Sequence, residues 1–349
     1  MASIRTCVAL FTCLVFAGPA VAQGKWTKLA PFPDPSEELL GASANGRMYV
    51  FCGLATRPQW TPKGLVYEYD PATDKWTKKA PMALPSHHVA FTEYNGKIYA
   101  FGGFVLPPQG QPPAWVPIDN AWEYDPAKDV WKALAPLPTK RGSPVAVTVG
   151  DKIYVIGGAV PGPGQSAVHP QRPHTSAGTV EEYDPKTNTW RGRAPMPTPR
   201  NHAVGGAVNG KVYVVSGRVG GAFISGGSSN VGVTEAYDPA TDSWSQGLAR
   251  MANARSAGAG GVWGGRLYIT GGEYQDPGMM ATFRSLEAYD PATNIWQTLP
   301  PMPVSRHGLA GAVVGNRLHM VSGDVQSAGT GVAVDTEEHD AYDFESAKK

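Results

Sequence analysis

Arginine, histidine and glutamate collect at one place in six short stretches of the chain. These read PSEELL (35–40), PSHHVA (85–90), KRGSPV (140–145), PRNHAV (199–204), ARSAGA (254–259) and SRHGLA (305–310). They carry Arg141, Arg200, Arg255 and Arg306, with His87, His88, His202 and His307 at or beside the same level and Glu37 and Glu38 in the first stretch. A guanidinium is a planar fork of donors that fits a carboxylate two bonds at a time, so several at one opening would bind an anion. Neutral imidazoles could instead ligate copper or zinc, although no HExxH or Cys/His spacing supports it. A second polar set, Arg218, Glu273 and Asp324, follows glycine-ended runs and offers a candidate acid/base pair. Trp60, Trp115, Phe223 and Tyr274 lie in longer loops, where aromatic faces could stack on a sugar or clamp a peptide, and His169 and His174 lie in another. The alternative for each arginine or histidine is structural: it ties neighbouring units together.

This chemistry converges only if other elements set the six stretches side by side. Each leads into an apolar, small-residue run, a turn such as Asn209-Gly210, and a strand-like run ending in glycine. Those runs are GRMYVFCG (46–53), GKIYAFGG (96–103), DKIYVIGG (151–158), GKVYVVSG (210–217), GRLYITGG (265–272) and NRLHMVSG (316–323). The turn pairs tolerate positive φ, and the terminal glycines admit close backbone approach. The markers Tyr49, Tyr99, Tyr154, Tyr213, Tyr268 and His319 are 50, 55, 59, 55 and 51 residues apart. A third strand then ends in Tyr-Asp-Pro and a fourth begins near Trp: YDPATDKW (69–76), YDPAKDVW (124–131), YDPKTNTW (183–190), YDPATDSW (237–244) and YDPATNIW (289–296). Asp followed by Pro favours a type I-like turn, and the Asn or Asp before Trp tolerates left-handed geometry. The Tyr and Trp are expected to pack neighbouring units together.

Six glycine-ended runs stand against five YDP…W units. The missing fourth strand is KWTKLAPFP (25–33), which matches KWTKKAPMALP (75–85). A period near 50 residues built from short strands is the signature of a kelch blade, and the chain resembles the kelch-repeat family over roughly its whole mature length. The resemblance implies an all-β, six-bladed kelch β-propeller of four-stranded antiparallel blades, closed by an N-terminal strand that completes the C-terminal blade. The single domain is expected at 23–344, with blades near 36–84, 85–138, 139–197, 198–252, 253–303 and 304–344, the last completed by 25–33, and a disordered tail at 345–349. In this fold the six stretches line the axial mouth. Departures are Cys52, Ser216 and Ser322 for a first glycine and His319 for the marker tyrosine. By resemblance the ligand candidates are acidic peptides, which some kelch domains bind through arginines, and sugar acids, the substrates of bacterial sialic-acid mutarotases. Galactose oxidase is the copper precedent, but its cysteine-crosslinked tyrosine has no evident counterpart, and Cys52 is expected to be a buried small residue.

Arg5, the apolar Cys7–Phe16 run and Ala20-Val21-Ala22 predict a signal peptide at 1–22 and a secreted or periplasmic protein. Cys52 is then the one remaining cysteine, so no intramolecular disulfide is expected. Loss of Arg5 takes the formal charge from +1 to 0, which argues against electrostatic capture of nucleic acid or membrane. No membrane insertion, no cofactor and a monomer are expected. The leading functional expectation is a recognition module binding an anionic small molecule, glycan or acidic peptide at the axial loop face. The alternatives are a cofactor-independent sugar-acid mutarotase or isomerase using Arg218, Glu273 and Asp324, and a copper-dependent oxidase.

Overall fold

The computed structural model describes residues 24–55, 60–109, 111, 114–168, 175–220, 229–276, 278–330 and 332–344. The expected signal segment, the 345–349 tail, Phe223, His169 and His174 lie outside the described residues. Six antiparallel sheets form the blades of a propeller. Blade four shows the plan: inner strand Val204–Val208, second strand Lys211–Val215, third strand Thr234–Asp238 and outer strand Ser243–Ser245. Blade five carries an extra hairpin strand, Met279–Thr282, on its long second strand Arg266–Asp276. Blade six takes Lys25–Lys28 as its outer strand, in register with His339–Asp343 so that Trp26 faces Tyr342. The two ends of the chain thus close the ring by pairing, and blade six has no open strand edge there.

The core lies between blades, because each sheet buries both faces. One apolar cluster joins blades six and one through Val321, Ala310, Leu39 and Tyr69, and corresponding clusters fill the other five interfaces. Near the axis the inner strands come so close that a Cβ on Gly41 would stand 2.6 Å from the Gly311 carbonyl oxygen. That crowding explains the small-residue inner strands.

The YDP…W unit is a clasp between blades. In blade three the Tyr183 hydroxyl donates to Asn188 Oδ1 at 2.7 Å. The same Oδ1 accepts the Ala135 N–H of blade two at 2.8 Å, and Trp190 Nε1 donates to the Ala135 carbonyl at 2.9 Å. The pattern repeats with Asp242 and Trp244 on Ala194, with Asn294 and Trp296 on Ala249, and with Asp74 and Trp76 on Ala30 across the closure. The Asn or Asp of each clasp has positive φ, as its position before Trp suggests. The indoles are partly buried, less than a fully packed core tryptophan.

The glycine-ended runs make the second tie between blades. The last glycine N–H donates to the first connection residue of the next blade, as in Gly158 to the Arg200 carbonyl at 3.0 Å. A Cβ on Gly157 would lie 2.6 Å from that same carbonyl oxygen. Where serine replaces this glycine, its hydroxyl bonds the carbonyl instead: Ser322 Oγ donates to the Ser36 carbonyl at 3.0 Å, and Ser216 Oγ donates to that of Arg255. Cys52 is fully buried, and burial holds its thiol protonated.

Candidate functional site

The six connections run past the axis in three columns. The first is Ser36, Ser86, Arg141, Arg200, Arg255 and Arg306; the second is Glu37, His87, Gly142, Asn201, Ser256 and His307; the third is Glu38, His88, Ser143, His202, Ala257 and Gly308.

The first column corrects the expected arginine mouth. Arg141, Arg200, Arg255 and Arg306 are at most 1% exposed and point into their own blades. Arg141 pairs with Glu181 at 2.6 Å and Arg306 with Asp340 at 2.8 Å, while Arg200 pairs with Glu235 and Arg255 with Glu287. Each also donates to a second-strand carbonyl, as Arg200 does to Val214 at 2.8 Å. Burial lowers the pKa of all four despite the paired acid, in Arg255 to about 10. A buried guanidinium must keep its acid, because an unpaired charge there costs several kcal/mol, so these arginines are unavailable to a ligand. Blades one and two have Ser36 and Ser86 in this column, and their third strands carry Tyr67 and Trp122 where the others carry the acid.

The third column forms a ring. Glu38, His88, Ser143, His202, Ala257 and Gly308 have φ between 52° and 58°. Backbone bonds run around the axis from Leu39 N to Gly308 O, Gly308 N to Ala257 O, Ala257 N to His202 O, His202 N to Ser143 O, and Ser143 N to His88 O. Among the described residues no sixth backbone bond joins blade two to blade one. There His88 Nε2 meets Glu38 Oε2 at 3.0 Å. Burial raises the Glu38 pKa, but the imidazole of His88 prevails and brings it down to about 2.

The second column divides the mouth into unlike halves. Over blades two and three, His87 and His88 stand edge-on to each other with their Nδ1 atoms 2.6 Å apart. Trp115 packs on both rings at 4.7 and 4.9 Å, and with Phe104, Ala159 and Val168 it makes a buried apolar plug. Trp115 is 8% exposed, so it caps the axis and is no open stacking platform. Burial and the neighbouring His88 hold the His87 pKa well below its ordinary value. On the far side of this ring His202 Nδ1 contacts Asn201 Oδ1 at 2.5 Å.

Over blades four, five, six and one the mouth is polar. Arg218 reaches Glu273 at 3.0 Å, and Glu273 also accepts from Gln275, from Ser327 Oγ at 3.1 Å and from Ala328 N at 2.9 Å. So many donors make Glu273 a structural knot between blades four, five and six. Asp324 Oδ1 is likewise taken by the N–H groups of Gln326 at 2.7 Å and Val334 at 3.0 Å, while its buried Oδ2 has no hydrogen-bond partner. The candidate set Arg218, Glu273 and Asp324 is therefore brought to one side of the axis, with His307 Nε2 3.5 Å from Glu273 and 3.9 Å from Glu37. Burial, then the adjacent Glu38, raises the Glu37 pKa to about 8; burial and Asp324 raise that of Asp335 to about 6. Glu37, Glu38 and Asp335 bring carboxylates to this side; the sequence signal of the first two is the replacement of the Arg-x-His connection by Ser-Glu-Glu in blade one, while Asp335 comes from the blade-six loop before His339–Asp343 and carries no such signal. Trp60 is partly buried in the loop beyond the second strand of blade one, and Tyr274, expected in a loop, is partly buried within the long second strand of blade five, opposite Ala281 of the extra hairpin.

A cavity of about 60 Å³ lies at the ring, lined by Glu38, His88, Ser143, His202, Ala257 and Gly308 among others. It has room for roughly two to four waters and none for a sugar. The larger axial space, about 360 Å³, opens towards the hairpin face between the inner strands, past Ser43, Thr92, Glu93 and Thr148. That face is expected to be poor in chemistry, and its glycines explain the opening: an inner strand without side chains leaves the centre hollow.

The Kelch motif family matches the chain at residues 85–138, 140–197, 199–247 and 254–303, more than half of its length. The kelch-like protein terF of Aspergillus terreus is 28% identical over 212 residues, 59% of this chain and 43% of terF. The human kelch repeat and BTB domain-containing protein 12 is 30% identical over 186 residues, 51% of this chain and 29% of that protein. The matched region thus spans less than half the length of these curated relatives. Among solved structures, YjhT superposes with a TM-score of 0.70 at 17% identity, covering 89% of this chain and 96% of YjhT, a likeness of fold.

Proposed function

The chain belongs to the kelch-repeat family, and we propose that it is an interaction module that reads its partner at the axial connection face through positive charge on the partner. One observation carries this reading: with four arginines consumed inside the blades and Arg218 paired with Glu273, the carboxylates left around the mouth among the described residues are Glu38, Asp324 and Asp335, beside Glu37 with its raised pKa, against Lys63, which is already held by Asp34. An anionic small molecule, glycan or acidic peptide, the ligand class suggested by the arginines in the sequence, would meet like charge there. The small axial cavity favours the tip of a protein side chain over a whole sugar. The Ala20-Val21-Ala22 site supports a secreted or periplasmic location, and N-terminal sequencing of the mature chain, expected to begin at Gln23, tests it.

The function test is calorimetry of the chain, in EDTA, with lysine- and arginine-containing peptides, acidic peptides and sugar acids. Basic peptides should bind, and Asp335→Asn should weaken them by about tenfold, the order expected for one charged contact. Binding of the acidic peptides or sugar acids in their place would sink the proposal.

A further inference from the structure

We propose that Glu37, Glu38 and His307 bind one divalent transition-metal ion at the axial mouth. Their candidate ligand atoms, one imidazole nitrogen and one carboxylate oxygen from each glutamate, all lie within 4.8 Å of one another. They come from two blades held in register by the Leu39 N to Gly308 O bond of 2.9 Å. Successive residues of an extended strand point to opposite faces. The left-handed backbone of Glu38, φ 54°, breaks that alternation, which is how two consecutive glutamates converge on one point. A non-glycine residue is strained in this conformation, so the surroundings must hold it there.

The second observation is His307 itself. It is fully buried, its Nε2 lies 3.9 Å from Glu37 and 3.5 Å from Glu273, and neither ring nitrogen has a hydrogen-bond partner. Beside it the Asp324 carboxylate keeps Oδ2 buried and unpartnered as well. Groups buried in this way are costly unless something satisfies them. A divalent cation would satisfy the imidazole and offset the crowded carboxylates in one step. One nitrogen and two oxygens suit Zn²⁺ or Mn²⁺, and the cavity beside Glu38 leaves space for metal-bound water. Glu38, with its side chain 13% exposed, is the point of entry.

This inference uses the same electronegative mouth as the functional reading but does not need a protein partner. The tag-free chain is stripped with EDTA, dialysed against Zn²⁺ alone or Mn²⁺ alone, and its metal counted by mass spectrometry. One equivalent per chain of at least one metal is expected, with a rise in the thermal midpoint on loading. Glu37→Gln and Glu38→Gln should each weaken uptake at least tenfold, while Glu93→Gln, at the other end of the axis, should retain it. Circular dichroism checks that each variant is folded. No uptake by the folded chain, or a full equivalent retained by the Glu37→Gln/Glu38→Gln double variant, overturns the proposal. Because the peptide measurements are made in EDTA, either idea can fail without the other.

Discussion

Replacing Arg200 with alanine leaves Glu235 charged and buried without its partner, and should cost about 3–5 kcal/mol in a denaturant titration. The double variant Arg200→Ser/Glu235→Tyr, which copies the Ser36 and Tyr67 combination of blade one, should recover most of that loss. If the single variant were as stable as the parent and lost a ligand instead, the arginine would belong to a binding site after all. The column of arginines is visible in the sequence, but their direction is not, because a residue near the axis can face the opening or its own blade. The acids decide it: Glu181, Glu235, Glu287 and Asp340 occur two residues before the Tyr-Asp of the third strand only in the blades that have an arginine. His319 illustrates the same point. It stands where five blades have tyrosine, and its Nδ1 meets His339 Nε2 at 3.0 Å. Burial lowers its pKa to about 4 and that of His339 to about 3. Below the unfolded value near 6.5 the unfolded chain takes up protons that the folded chain refuses. This contribution to stability is therefore whole above about pH 6.5 and is lost as the pH falls towards 4. Glu37 trends the other way, since its raised pKa makes folding less favourable as the pH rises from about 4.5 to 8. Comparing the parent with His319→Tyr removes the Glu37 effect: the parent should lose about 2 kcal/mol more between pH 7 and pH 5. Parallel pH profiles would rule this out.

Between neighbouring blades, the unit of stability is the clasp. Its Asp-Pro turn and the packing role of Tyr and Trp are legible from five copies of one phrase. The central part played by the Asn or Asp is less so, because its partner N–H sits some fifty residues away in the preceding blade. Asn188→Ala deletes the acceptor of both the Tyr183 hydroxyl and the Ala135 N–H, and should cost about 1–3 kcal/mol. Trp190→Ala should cost about 2 kcal/mol, below the range for a fully buried indole, since Trp190 is partly exposed. Thermal unfolding of both variants checks the order. The glycine-to-serine changes follow from the same geometry: the hydroxyl of Ser216 or Ser322 bonds the carbonyl that a glycine merely approaches.

For the whole molecule, blade count and closure follow from one matched pair of phrases, KWTK at 25–28 and KWTK at 75–78. A chain beginning at Leu29 would expose the His339–Asp343 edge. It should form concentration-dependent oligomers in light scattering, whereas an unchanged monomer with an unchanged unfolding midpoint would contradict the assignment of that strand. What the repeats do not disclose is the difference between the two sides of the mouth, because it arises from the six positions where the blades disagree. The backbone circle at the axis adds something that neither blades nor clasps provide. It is a split washer. Five joints are peptide hydrogen bonds, indifferent to pH and to side-chain identity, and the sixth is a carboxylate–imidazole contact between Glu38 and His88. Blades one and two are therefore the one pair in this circle joined through side chains, so a substitution at Glu38 or His88 opens the circle there and leaves the other five joints intact.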